Sequence, residues 1–289
     1  MWEVCRNCVL EKALSDCGEQ EPRDLADRYR RAVRELVRDF PEDGTAPELA
    51  FHVKQLQKEI FHRTPLDFTG IKRHFNELLM SFEEEIKEKI RAAGDPLLCA
   101  IQYAMIGNYI DYAAFQSVEE ATLLALLKKA GSIRLNEDVL ANLRESVRGA
   151  EKLVYVTDNC GEIVLDKLLI EEILRMNPKL SVTALVRGSS EGNDATMEDA
   201  AEVGLPSVCR VMGNGAPIDA TVLRYLSGEA RALLRESDFI VAKGQANYES
   251  LYGSGLHVFY LLMCKCDFFM ERFQVPKYSG VLTEETGHL

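Results

Sequence analysis

The sequence predicts an α/β protein: a three-layer α/β/α C-terminal domain with a mostly parallel sheet, preceded by an all-helical N-terminal domain. Three observations carry that expectation. Up to about residue 150, apolar residues recur only at three- and four-residue steps, the spacing of one helix face. Beyond 150, short β-rich runs alternate with helical ones, which is how strand–helix–strand units read. Those short runs are mostly apolar on both faces, as strands buried in a parallel sheet are. The expected division is therefore a helical domain over 1–150 and an α/β domain over 151–289.

In the first part, Leu25, Tyr29, Val33, Leu36, Val37 and Phe40 line one face of a helix, and Ile71 to Ile90 line another within 67–93. Asp95-Pro96 supplies an N-cap and a first-turn proline for LLCAIQYAMIGNYIDYAAF, read as one apolar helix that carries GNYID (107–111) towards a crevice. Ser117 to Glu120 is a capping box, and Asn136 caps the helix after it. The second part alternates LVYVTD (153–158), a helix over 161–177, LSVTALVR (180–187), a helix over 194–204, SVCRVM (207–212), a helix over 221–237, DFIVAKG (238–244) and HVFYLLMC (257–264).

Composition narrows the function. With 289 residues, 47% of them hydrophobic and 28% charged, the chain builds a real core and is neither disordered nor fibrous. A formal charge of −12 repels a nucleic-acid backbone, so no nucleic-acid partner is expected. No apolar run reaches the roughly 18–20 residues of a membrane span, and the first residues lack the pattern of a secretory signal, so a cytoplasmic protein without membrane contact is expected. Its eight cysteines are then read as reduced.

Open α/β sheets bind ligands beyond the carboxyl ends of their strands. Three such ends are polar: Asp158-Asn159-Cys160-Gly161-Glu162, the stretch from Gly188 to Thr196 with Glu191, Asn193 and Asp194, and Lys243 to Glu249 with Asn247. Asp158, Asn159 and Asp194 supply carboxylate and amide oxygens suited to a hard divalent cation. Lys243 and the helix N-termini suit a phosphate, with Asn193, Asn108 and Asn247 as further candidate contacts. Glu162 is a candidate to position a water, and either that water or Asp158 itself would attack phosphorus. Asp-Asn pairs after strands also serve simply as turns or helix caps, and Thr196 and Asp199 read as caps. Cys5 and Cys8, with Cys264 and Cys266, offer a second metal or redox site, against the plainer reading of thiols in helix packing. Cys160 reads as core filling, because no histidine stands near it in sequence.

These residues are similar to a known family. VTDNCGEIVLDKLLIEEI (156–173), VRGSSEGNDATMEDA (186–200), SDFIVAKGQANYESLYG (237–253) and GNYID (107–111) resemble, in that order, the damage-control phosphatases, a family that grew out of the domain-of-unknown-function family eighty-nine. CRNC at the start and CKC (264–266) resemble its microbial, cysteine-containing branch. The resemblance implies a divalent cation (Mn, Mg, Co or Ni), hydrolysis of phosphate esters of small or damaged metabolites such as sugar phosphates, metal ligation by Asp158, Asn159 and Asp194, and a role for Lys243. Ala246 stands where the family often has glycine, and Gly192 where it often has an apolar residue. The expected partner is a small phosphorylated metabolite, with a homo-oligomer as a further possibility. Two alternatives remain at this level: a non-catalytic module that binds a phosphometabolite or metal, and a carboxyl methyltransferase.

Overall fold

The computed structural model describes residues 2–17, 21–62, 66–111, 118–189 and 192–287. Ser117, Glu191 and the stretch 112–115 of the expected apolar helix lie outside the described residues. The chain forms two compact units, Met1–Asp67 and Phe68–Leu289.

The first unit consists of helices α1 (Trp2–Ser15), α2 (Arg23–Asp39) and α3 (Ala46–Phe61). Tyr29, Val33 and Val37 of α2 pack with Ala13, Leu49, Val53 and Ile60, so the face expected from spacing is the face that is buried. Thr45 caps α3, its hydroxyl accepting from the Glu48 N–H at 3.4 Å, and α3 ends at His62 in the left-handed region. Cys5 is buried on α1 and Cys8 is exposed.

The second unit begins with α4 (Thr69–Ser81), α5 (Glu83–Ala92), α6 (Pro96–Gly107), α7 (Glu120–Leu127) and α8 (Glu137–Gly149). The expected single helix over 67–93 breaks at Phe82, whose N–H turns back to the Leu79 carbonyl at 3.1 Å. Asp95 and Asn136 cap α6 and α8 as the sequence predicts, accepting from Leu98 N at 3.2 Å and from Asp138 N at 3.0 Å.

The alternating region then gives β1 (Lys152–Val156), α9 (Glu162–Met176), β2 (Ser181–Val186), α10 (Met197–Glu202), β3 (Arg210–Gly213), α11 (Gly228–Glu236), β4 (Phe239–Lys243), α12 (Gly244–Leu251), β5 (Val258–Met263), α13 (Asp267–Phe273) and β6 (Gly280–Glu285). The expected helix over 221–237 is shorter, because the Ser227 hydroxyl accepts from Ala230 N at 3.1 Å and starts α11 there. The sheet order is β3-β2-β1-β4-β5-β6. Its first five strands are parallel and β6, not foreseen from the sequence, pairs antiparallel with β5. β1 and β4 are neighbours from which the chain winds outward in opposite directions, so the topological switch point lies between their carboxyl ends.

Alternation along each strand sorts the core into two layers. Leu153, Tyr155, Val182, Ala184, Val241 and Phe259 face α9 and the helices before β1. Val154, Val156, Leu185, Ile240, Ala242 and Tyr260 face the other way, towards α11, α12 and α13. This is the expected α/β/α sandwich with its mostly parallel sheet. The division at 150 gives way to one at 67, because Ile86, Ala100, Ile101, Leu143 and Val147 share one apolar cluster with strand residues and α9. Those helices need the sheet to bury their apolar faces.

Helix α9 is buried along nearly its whole length between sheet and helices. Leu169→Ala there should lower unfolding free energy by about 2–5 kcal/mol in urea denaturation, while an unchanged midpoint would contradict the packing described.

Candidate active site

Helix α6 stops at Gly107, and Asn108 to Asp111 form a turn rather than helix, with Tyr109 N on Ile106 O at 2.9 Å and Ile110 N on Gly107 O at 3.0 Å. The GNYID segment therefore reaches the crevice as a helix exit. Asn108 is fully buried, its Nδ2 donating to Asp158 Oδ2 at 2.9 Å and to both Glu162 oxygens at 3.1 Å. Its Oδ1 accepts from Met263 N at 3.1 Å, which joins this exit to the end of β5. The expected substrate-facing role is replaced by one inside the protein, since every polar atom of the Asn108 amide is engaged.

The loops after β1 and β2 run across each other as a short antiparallel bridge between Asn159 and Asp194. Ala195 N donates to Asp158 O at 2.8 Å, Cys160 N to Asn193 O at 2.8 Å, and Arg187 N to Ala195 O at 2.9 Å. These main-chain bonds bring Asp158, Asn159 and Asp194 together, as the convergence of strand ends predicts. Asn193 is buried under them, its Nδ2 shared between Asn159 Oδ1 and Ile110 O at 3.0 Å each. From below, Asn76 of α4 accepts from Gly161 N at 2.6 Å and donates to Asp199 and Glu202 of α10. Gly161 has φ +68, and a Cβ there would lie 2.8 Å from Ile110 and 2.9 Å from Phe75, so only glycine fits the turn into α9.

Lys243 differs most from expectation. As the last residue of β4 it shares the face of Phe239 and Val241 and points at α9, not into the crevice. Its side chain is wholly buried, and Nζ donates to Ala104 O at 2.8 Å and to Glu162 Oε1 and Asp166 Oδ1 at 2.7 Å each. Three protons meet three acceptors, which leaves none for a phosphate. Glu162 is equally occupied: Oε1 faces Lys243 and Oε2 accepts from Asn159 Nδ2 at 2.9 Å. It orients Asn159 and Asn108, both of its oxygens being engaged by those amides and by Lys243. Asn247 is also internal, donating to Lys243 O at 2.6 Å and Thr157 O at 3.1 Å and accepting from Thr221 at 2.8 Å. Thr196 and Asp199 cap α10 as read, Thr196 N donating to Asp199 Oδ2 at 2.8 Å.

Two residues of the cluster escaped the sequence reading. Asp166 stands one turn after Glu162, and that four-residue spacing of acids on an apolar helix was the available signal. Arg187 ends β2 much as Lys243 ends β4, and a cation closing an apolar strand was its signal. Its guanidinium is 1% exposed and reaches Asp194 Oδ2 from Nε at 2.6 Å, Asp158 Oδ1 from Nη2 at 3.3 Å, and the Thr221 hydroxyl from Nη1 at 3.1 Å.

The electrostatics are unbalanced. Burial, with Glu162 and Asp194 nearby, holds the Asp158 carboxyl well above the usual range against the pull of Arg187. Burial also pushes Asp194 up to about 6 despite Arg187, with Asp219 and Asp111 adding to the effect. Asp166 rises to about 7, chiefly through burial, although Lys243 opposes the rise. When ionised, Asp158, Glu162, Asp166 and Asp194 pair, among the described residues, with Lys243 and Arg187 alone, four acids against two cations.

The donor chemistry fits a hard divalent cation. Asp158 Oδ1 and Asn159 Oδ1 each accept one hydrogen bond and keep a lone pair, and Asp194 Oδ1 accepts none among the described residues. Among the described residues, no group of three or more His, Cys, Asp or Glu side chains is already drawn together in the manner of a metal site. Two of the carboxylates converge instead on Arg187. Gly244 lets β4 approach this floor: it has φ +78, and a Cβ there would lie within 1.9 Å of Asp158 Oδ2.

All eight cysteines lie among the described residues and none is in a disulfide. Cys160 is fully buried and burial raises its thiol pKa, which agrees with core filling. Cys5 and Cys8 belong to the first unit, Cys264 and Cys266 to the second, where Cys266 accepts from Gln245 Nε2 at 3.4 Å.

A doubly wound sheet with an acidic, amide-braced cluster at its switch point defines a class of α/β protein that handles ligands beyond its strand ends. The family profile described as the damage-control phosphatase ARMT1-like domain matches residues 1–281, and the chain belongs to that family. A protein of Archaeoglobus fulgidus named damage-control phosphatase is 29% identical over 272 residues, which span 91% of this chain and 92% of that one. A damage-control phosphatase of Pyrococcus horikoshii is 30% identical over 280 residues, 94% of each chain. The crystal structure of a DUF89 family protein from Pyrococcus horikoshii superposes with a TM-score of 0.73 at 25% identity, covering 98% of both chains.

Lys243→Met leaves Glu162 and Asp166 buried without their counterion and should cost about 3–5 kcal/mol of stability in urea unfolding at neutral pH. A variant as stable as the parent would show that Lys243 is not the clamp described.

Proposed function

We propose that the chain is a metal-dependent phosphatase that hydrolyses phosphate esters of small or damaged metabolites, sugar phosphates among them. The observation that carries this reading is the convergence of Asp158, Asn159 and Asp194 at the switch point, in a buried cluster with more acids than cations. The names of the two relatives support the reaction class. Mn²⁺, Mg²⁺, Co²⁺ or Ni²⁺ held by these three residues would polarise a phosphoryl oxygen and make a bound water nucleophilic near neutral pH. Asp158 serves as a ligand rather than the nucleophile, since Oδ2 accepts from both Asn108 and Asn159 and Oδ1 faces Arg187. Asp194 Oδ1 is the carboxylate oxygen of this trio that no donor of the described residues claims.

For the phosphate, Lys265 takes the role first given to Lys243. Its side chain is 2% exposed and Nζ makes one bond among the described residues, to Asp111 Oδ2 at 2.7 Å, so two protons remain. Asp111 lies close enough to raise the pKa of both Asp158 and Asp194, which sets Lys265 beside the cluster. Gln245 at the start of α12 fixes this loop, its Oε1 accepting from Lys265 N at 2.7 Å. The substrate is accordingly a small phosphorylated metabolite. A cytoplasmic site of action is part of the same proposal; no helix among the described residues is long and apolar enough to cross a membrane.

Metal-stripped protein should release no phosphate from an aryl phosphate or a sugar-phosphate panel until a divalent ion is returned, and Asp194→Asn should cut turnover at least about 100-fold while circular dichroism stays native. Full turnover in the presence of chelator would overturn the reading. Lys265→Met should raise KM about tenfold with a smaller change in kcat. An unchanged KM on a turned-over substrate would remove Lys265 from the phosphate site.

A further inference from the structure

Arg187 cannot be an ordinary surface counterion. It is 1% exposed, its main-chain N–H is tied to Ala195 O at 2.9 Å, and its guanidinium bridges Asp194 and Asp158 while Thr221 holds its third edge. Thr221 is in turn fixed by Asn247, which binds the ends of β1 and β4. The planar fork is therefore anchored on both sides and sits against the two carboxylates assigned to the cation.

We propose that Arg187 is a built-in counter-cation that sets the charge of the loaded site, weakening the metal's hold and adding to the site's attraction for a phosphate dianion. The inference rests on the cation reading given above. Asp158, Asp194 and Arg187 together carry a single negative charge when both acids are ionised, and a divalent ion turns that into a single positive charge. Without Arg187 the same ion would leave the two carboxylates and the metal neutral together. Like charge a few ångströms away opposes the metal, and the same charge favours an incoming dianion. Neutralising Arg187 therefore moves the two affinities in opposite directions, whereas a residue that only braced the carboxylates would, on removal, weaken both.

The test is calorimetric, on the full chain. Mn²⁺ is titrated into metal-stripped parent, Arg187→Gln and Arg187→Lys, and inorganic phosphate is then titrated into each Mn²⁺-saturated protein, with melting curves to confirm folding. Arg187→Gln should bind Mn²⁺ roughly tenfold tighter and phosphate roughly tenfold more weakly. Arg187→Lys keeps the charge and should stay near the parent in both. Arg187→Met gives a second neutral side chain, with the same two shifts expected, should the Gln variant fail to fold. Parallel weakening of both ligands in a folded neutral variant, or no change in either, would overturn the proposal and leave the cation reading standing. Absence of Mn²⁺ binding in the parent and the neutral variant alike would overturn the cation reading and this proposal with it.

Discussion

The ammonium of Lys243, sunk between strand and helix, is the interaction on which the rest of the site depends. It pairs with both Glu162 and Asp166, one helical turn apart, and takes the Ala104 carbonyl as its third acceptor. Through Glu162 it holds Asn159 and Asn108, and through those amides it holds Asp158. An unpaired charge at such depth is far costlier than a paired one, so strand, both helices and the loop after β1 must assemble together. Buried ion pairs add little net stability over apolar packing, but they admit very few alternative arrangements, and here that constraint falls on the geometry of the candidate site.

Loops ordinarily give less precise sites than strands or helices. This one gains precision because the segments after β1 and β2 are bonded to each other through the main chain, and Asn76 pins the turn beneath them. Asp158 and Asp194 are thus separated by backbone hydrogen bonds, whichever rotamers their side chains adopt. Asn108 and Asn247 spend their amide atoms inside the protein, as Asn193 and Asn159 do their Nδ2. Amides suit this use, since each both donates and accepts without adding charge to a region already rich in it.

Two cations divide the work of balancing four acids. Lys243 lies below and faces Glu162 and Asp166, whereas Arg187 lies alongside Asp158 and Asp194 at the crevice. A compact ammonium suits the position with three acceptors around one point, and a planar fork suits the position that spans two carboxylates and a hydroxyl. The layering that separates them follows from strand alternation: Lys243 continues the face of Val241, turned towards α9.

Much of this was legible in the sequence by itself. Apolar runs after 150 fix a parallel sheet, because only strands covered on both faces are apolar throughout, and polar strand ends then mark where the chemistry lies. Asp158, Asn159 and Asp194 could be named for that reason, and caps such as Asp95 and Asn136 because their bonds are local. What tertiary structure decided were the partners. Lys243, Glu162 and Asn247 read as groups facing a ligand, yet each is satisfied by residues distant in sequence: Ala104, 139 positions from Lys243, and Thr157, 90 positions from Asn247. Arg187 and Asp166 acquire meaning only once the strand ends meet. Local pattern records which side chains are polar and where the chain turns, but a buried charge is defined by what lies across from it, and that is fixed only when the layers close.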